Sequence, residues 1–176
     1  MAIIRPFAGK TPRLHESVFA VEDAVVLGDV EIGADSSIWF GSVLRGDVNF
    51  IRVGARTNVQ DLTVIHVNAG THPTVIGDDV TIGHRVVLHG CTVMDRCLIG
   101  IGAIVMDGAV VGEEAMVGAG ALVAPGLKVP PRTLVLGAPA RVKRDLTAEE
   151  LAYLPRSAAS YAERAKEYLR EGWSGR

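Results

Sequence analysis

Three histidines, His66, His84 and His89, offer the most chemistry in this sequence. The last two lie in GHRVVLHG, residues 83 to 90, five positions apart. Neutral imidazole is a good zinc ligand, and three such rings around an open fourth position are the ligand set of a catalytic zinc site. Zinc so held lowers the pKa of bound water to about 7, which gives hydroxide at neutral pH. Polar residues occur in two further short stretches: Arg45 and Asp47 in LRGDV, Gln60 and Asp61 in NVQDL. Gln60 is placed to hydrogen-bond the hydroxide or the substrate. Arg45, Asp47 and Asp61 would form a charge network that orients the ligands across an interface. For Arg45 and Asp47 a plain interface salt bridge is the alternative.

A separation of five fits neither a helical turn nor the alternation of one flat strand, so the backbone must be of another kind. Aliphatic residues recur every six positions. Val26 leads to Ile32, Ile38 and Leu44; Val53 to Val59 and Ile65; Ile76 to Ile82 and Leu88. From Val93 the series runs through Ile99, Val105, Val111, Val117, Val123 and Val129 to Val135. Six is not close to a multiple of 3.6, which argues against a helix. A hexapeptide repeat points instead to a parallel β-helix. Each hexad is a short strand and a corner, with the aliphatic residue inward. Three hexads make a triangular coil of about 18 residues, and coils stack about 4.8 Å apart. The expected fold is an all-β solenoid over residues 1–142, followed by a helical segment, 143–176, packed on its side. In that segment Thr147 and Glu150 read as a capping box. Pro155 interrupts, and SAASYAERAKEYLREG then reads as a helix with Tyr161, Ala165, Tyr168 and Leu169 on one face.

The repeat breaks in three places. Leu44 to Val53 is nine residues, Ile65 to Ile76 is eleven with NAGTH inserted, and Leu88 to Val93 is five. Such breaks mark loops or bulges on a functional face. Counting through them sorts the polar residues into columns. Arg45, His66 and His89 each directly follow the aliphatic residue of one face in three successive coils. Asp61 and His84 each stand two after the aliphatic residue of another face. His66 and His89 are therefore stacked neighbours able to reach one ion. His84 can join that ion only from an adjoining subunit, which predicts a closed homotrimer with three metal sites between subunits.

Bulk properties narrow the class. The chain has 176 residues, enough for one domain, with 48% hydrophobic but only 5% aromatic residues and 20 glycines. Its 18 basic and 20 acidic residues leave a net charge of −2, which argues against a nucleic-acid surface. No apolar run is long enough to span a bilayer, and MAIIRPFAGK does not read as a signal peptide. The expectation is a cytoplasmic protein without nucleic-acid or membrane partners. Two cysteines, Cys91 and Cys97, make no disulfide framework and are expected to be buried, inert thiols. Trp39 and Phe40 are expected to fill a wide early coil or cap its end.

The segments LRGDV, NVQDLTVIH and GHRVVLHGC resemble the γ-class carbonic anhydrases, and the likeness covers nearly the whole chain. The resemblance implies a left-handed β-helix, a homotrimer, and zinc, iron or cobalt between subunits. It matches His66 and His89 to ligands from one subunit and His84 to the ligand from the next. Arg45, Asp47, Asn58, Gln60 and Asp61 match family positions, and Tyr161 matches a tyrosine near the active site. The reaction implied is reversible hydration of CO2 to bicarbonate. This sequence departs from the archetype in two places. The loop VNAGTHPTV after the first histidine has no acid, and Val48 stands where the archetype has a second functional glutamate. The sequence thus belongs with the short-loop subgroup, and loss of the acidic proton shuttle would slow turnover; His72 in the loop is a candidate relay. The alternatives are an acyl-CoA-linked acyltransferase or thioesterase on the shared solenoid, and a non-catalytic metal-binding protein.

Overall fold

The computed structural model of the chain describes residues 2–173. It is a left-handed parallel β-helix of about seven coils with a C-terminal helix. Strands of two or three residues stack in parallel register, and each hexad aliphatic sits above the one a coil below. Leu44 pairs with Ile65, Ile65 with Leu88 and Leu88 with Val105. Val59, Ile82, Ile99, Val117 and Val135 form another column. These residues are buried. Each such side chain removed from water contributes roughly 1.5–3 kcal/mol. Small residues four positions on, among them Ala103, Ala115 and Ala121, are buried too and leave room at the corners. In earlier coils hydroxyls take that position and donate to carbonyls of the next coil. Ser36 bonds Gly54 O at 2.7 Å, Ser42 bonds Gln60 O at 2.8 Å and Thr57 bonds Gly77 O at 2.8 Å.

Both cysteines occupy this small-residue layer. Cys97 stands four after Val93, and Cys91 lies in the column of Ala109, because Thr92 and Val110 are in register. Burial pushes both thiols up to about 12. The thiolate is the reactive form, so both should be inert. The expected result of an Ellman titration is no reactive thiol in native protein and two per chain in guanidinium; rapid native labelling would contradict it.

One corner carries a column absent from the sequence reading. Asp35, Arg56, Asp79, Arg96, Glu114 and Arg132 each stand three after a hexad aliphatic, each with φ near +55°. Charge alternates up the column. Arg56 clamps Asp79 through two 2.7 Å bonds, and Glu114 bridges Arg96 and Arg132 at 3.1 and 3.3 Å. Left-handed backbone at non-glycine residues costs of order 1–3 kcal/mol each. The backbone N–H groups of Arg56 and Asp79 offset this by bonding carbonyls of the preceding coil at 2.7 and 2.9 Å.

The three register breaks differ in form. The nine-residue step is not a loop. It is one continuous strand, Val43–Val53, that rounds a corner beside the strand Val25–Ile32 and bulges between Gly46 and Ile51, opposite Asp29. The eleven-residue step is a loop closed by an antiparallel bridge, Asn68 to His72. The five-residue step turns tightly at Gly90, where φ is +58°.

The strand Arg141–Asp145 pairs antiparallel with Thr133–Leu136 and runs through the expected boundary at 142. The helix spans Ala148–Arg170 and starts at the Thr147–Glu150 capping box. Pro155 lies inside it and does not interrupt it, contrary to expectation. An interior proline costs roughly 3 kcal/mol. Burial of Leu154, Ser157, Ala158 and Ala165 on the solenoid overrides that cost. Leu169 is exposed, not on the packed face. At about 100° per residue it is rotated some 80° from Tyr161, beyond the stripe. Residues 174–176 of the predicted terminal segment lie outside the described residues. Trp39 and Phe40 neither fill a coil nor cap its end. Each follows the inward Ile38 and points out. Trp39 packs between Phe19 (5.2 Å), Tyr161 (5.6 Å) and Tyr168 (5.1 Å), and so seats the helix. No helix among the described residues is long and apolar enough to cross a membrane.

Candidate metal centre

The nine sequence-predicted residues fall into two groups on one chain. The first lies at the end of the column Leu44, Ile65, Leu88. His66 and His89 are in register on adjacent strands, Val64–His66 and Val87–His89. Their ring centroids are 5.0 Å apart, and His66 Nδ1 lies 3.1 Å from His89 Nε2. Asp47, from the three residues inserted in Val43–Val53, approaches His66 Nε2 at 2.9 Å. Arg45, on the same strand, is ion-paired to the other oxygen of Asp47. Burial alone would raise the Asp47 carboxyl, but the His66 and Arg45 contacts outweigh it and hold the carboxyl below its ordinary value.

The second group lies on another face. His84 Nδ1 bonds Asp61 Oδ2 at 2.7 Å. Gln60, only 5% exposed, donates from Nε2 to Asn58 Oδ1 at 3.0 Å. Asn58 donates in turn to Val80 O and to Thr81 Oγ1. Thr81 donates to Ser157 of the helix at 3.1 Å. This chain fixes the Gln60 amide and leaves its Oε1 as the accepting atom. Gln60, His84 and Tyr161 line one groove of about 460 Å³ between the solenoid and the helix, with Leu98, Met116 and Tyr153 on its apolar side. Burial, with the Asp61 charge second, raises the Tyr161 phenol.

His84 is not gathered with His66 and His89 within the chain. Among the described residues no group of three or more His, Cys, Asp or Glu side chains converges to hold a metal.

Three carboxylates, not two, attend the histidines. Asp107 was missed by the sequence reading; its Oδ1 lies 2.5 Å from His89 Nδ1. The missed residues also include Asn68, whose Nδ2 donates to Asp107 Oδ2 at 2.7 Å, and Thr74. Thr74 donates to His66 O at 2.6 Å and accepts from Gly90 N at 3.0 Å, which closes the base of the loop. Burial raises the Asp107 carboxyl, yet the Asn68 and His89 bonds prevail and lower it. The signal for Asp107 was present: it stands two after Val105, the next aliphatic in the column of Leu88. The loop histidine, His72, bonds Thr71 and lies against Gly90 and Gly108. Val48 is half exposed.

An ionised carboxylate only accepts hydrogen bonds. Each histidine therefore presents N–H to its aspartate and turns its other ring nitrogen away from it. His66 Nδ1 and His89 Nε2, 3.1 Å apart, are then the ring nitrogens turned toward a shared cation. Two ligands of one tetrahedral zinc ion are about 3.3 Å apart, given bonds of 2.0–2.1 Å. This donor set fits a divalent cation, and the partnering carboxylates are the usual supports of metal-bound histidine.

Comparison with known proteins defines the class first. Residues 90–125 match the family "Bacterial transferase hexapeptide (six repeats)". A putative acetyltransferase from Bacillus cereus shares the fold, with TM-score 0.92 and 44% identity over 94% of this chain and 96% of that one. Among curated proteins, gamma carbonic anhydrase 1 of Arabidopsis thaliana mitochondria is 48% identical over 92% of this chain. The chain spans only 61% of that relative's length. A probable carbonic anhydrase from Methanocaldococcus jannaschii is 51% identical over 84% of this chain and 92% of its own length. The chain belongs to the γ-class carbonic anhydrase family.

Proposed function

We propose that the protein is a metal-dependent carbonic anhydrase acting as a homotrimer. His66 and His89 of one subunit and His84 of the next hold the ion, with zinc foremost and iron(II) or cobalt(II) as alternatives. The observation that carries this reading is the pair of imidazole nitrogens 3.1 Å apart, each ring oriented by its own carboxylate. The ion, when bound, activates water at neutral pH. The chain's own residues do the rest. Gln60 offers a fixed acceptor, Oε1, to a water proton. Asn58 holds that amide in place through Thr81 and Ser157. Arg45 holds Asp47, which holds His66. Asp61 fixes the ring of His84. Tyr161 bounds the same groove and, as a neutral phenol, can donate to an oxygen of CO2 or bicarbonate. The reaction consumes CO2 and water and yields bicarbonate and a proton. Two buried free cysteines suit a reducing compartment, in keeping with a cytoplasmic site.

Stopped-flow CO2 hydration by zinc-loaded and anaerobically iron-loaded protein tests the proposal. The expected result is a rate above that of the metal-free protein, lost on chelation. No such rate in either form removes the reading. The apolar groove beside His84, and similarity to the putative acetyltransferase from Bacillus cereus, favour acyl transfer as the second reading. Acyl-CoA turnover that survives chelation would select it.

A further inference from the structure

We infer that Asp107 is the positioning residue of His89, and that Asn68 of the inserted loop locks it in place. The inference rests on the reading of His89 as a metal ligand.

Asp107 lies one coil beyond His89. The coil from Leu88 to Val105 has 17 residues instead of 18, because the step to Val93 is one short. The tight turn at Gly90 brings the His89 ring under Asp107. A side chain at Gly90 would not fit: its Cβ would lie 2.5 Å from Asp107 Oδ1 and 2.8 Å from the His72 Cβ. The two oxygens of Asp107 have separate donors, His89 Nδ1–H and Asn68 Nδ2–H, at 2.5 and 2.7 Å. Asn68 is itself held. Its N–H donates to His72 O at 2.9 Å, and its carbonyl accepts from Asn49 Nδ2 at 3.0 Å. Asn49 belongs to the other insertion, on Val43–Val53. Two irregularities of the repeat thus meet at one carboxylate, and the third braces Asn68. With Nδ1 protonated against Asp107, His89 presents a bare Nε2 toward His66. The carboxylate also raises the basicity of that nitrogen.

The chemistry separates the variants. In Asp107→Asn a neutral amide oxygen accepts from His89 or from Asn68, but not from both. Asp107→Ala removes both contacts. Asn68→Ala leaves the carboxylate in place with one oxygen unclamped. Cobalt(II) affinity, by competition with a chromophoric chelator, and the visible cobalt spectrum are the readouts. Glu113→Gln, which removes an ion pair to Arg96 of the charged corner, is the control. Partners of metal-bound histidine are worth 10–100-fold in metal affinity. We expect roughly tenfold weaker cobalt binding in Asp107→Asn and up to about 100-fold in Asp107→Ala. Asn68→Ala should fall between parent and Asp107→Asn, and Glu113→Gln should match the parent. Cobalt affinity and spectrum of Asp107→Ala equal to the parent's, in a protein of the parent's circular dichroism, would overturn the inference. Should Asp107→Ala fail to fold, ring 15N shifts of the metal-free parent decide. Protonated Nδ1 on His89 supports the inference and protonated Nε2 overturns it. Failure of the parent itself to bind cobalt would refute the metal-site reading instead.

Discussion

Equal co-assembly of His84→Ala and His89→Ala chains should restore about a quarter of the parent's metal and CO2 hydration, although each variant alone has neither. In a closed three-fold ring each site takes its histidines from two neighbours in a fixed order. A site is whole only where an His89→Ala chain supplies His84 and the next, an His84→Ala chain, supplies His66 and His89. Random assembly meets that condition with probability of about one in four, and every mixed trimer has one whole site. The geometry behind this is the separation of the two groups: His66 and His89 face each other at 3.1 Å, while His84 stands with Asp61, Gln60 and Tyr161 on the groove face. Co-expressed chains carrying different tags and sorted by affinity give the mixed trimers directly. Mixed trimers as inactive as the single variants would exclude a shared site.

Leu88→Ala should cost roughly 2–5 kcal/mol of stability, the range for truncating a buried leucine. Leu88 is fully buried between Ile65 and Val105 in its column. Those neighbours are β-branched and stiff, so they cannot close over the void. In a chain of this size that loss lowers the melting temperature by about 5–15 °C. Thermal melts of the metal-free protein followed by circular dichroism read the effect without contribution from the ion. A change below about 2 °C would mean that the coil collapses around the missing side chain. The same substitution should weaken metal binding, because His89 is the adjacent residue.

The solenoid was legible because one physical rule repeats through it: an aliphatic residue inward, then a corner. That rule placed Arg45, His66 and His89 in one column and Asp61 and His84 in another, and the register of the strands agrees. What escaped lies where the rule bends. The nine-residue step left loop or bulge open; it is a bulge, because Val43–Val53 carries its extra residues opposite Asp29 and stays paired with Val25–Ile32 on both sides. Asp107 escaped because its partner His89 reaches it only through the shortened turn at Gly90. Trp39 escaped for another reason. Its neighbour Ile38 fills the coil, so the indole must face out, and what it meets there is a helix more than a hundred residues later. The alternating charges from Asp35 to Arg132 needed only the same column count, applied to a corner with no catalytic residues.

Crystals grown with zinc and measured at its absorption edge should show one anomalous peak per chain, within bonding distance of ring nitrogens of His66 and His89 from one subunit and His84 from its neighbour. A peak elsewhere, or none at full zinc occupancy in solution, would contradict a metal centre shared between subunits.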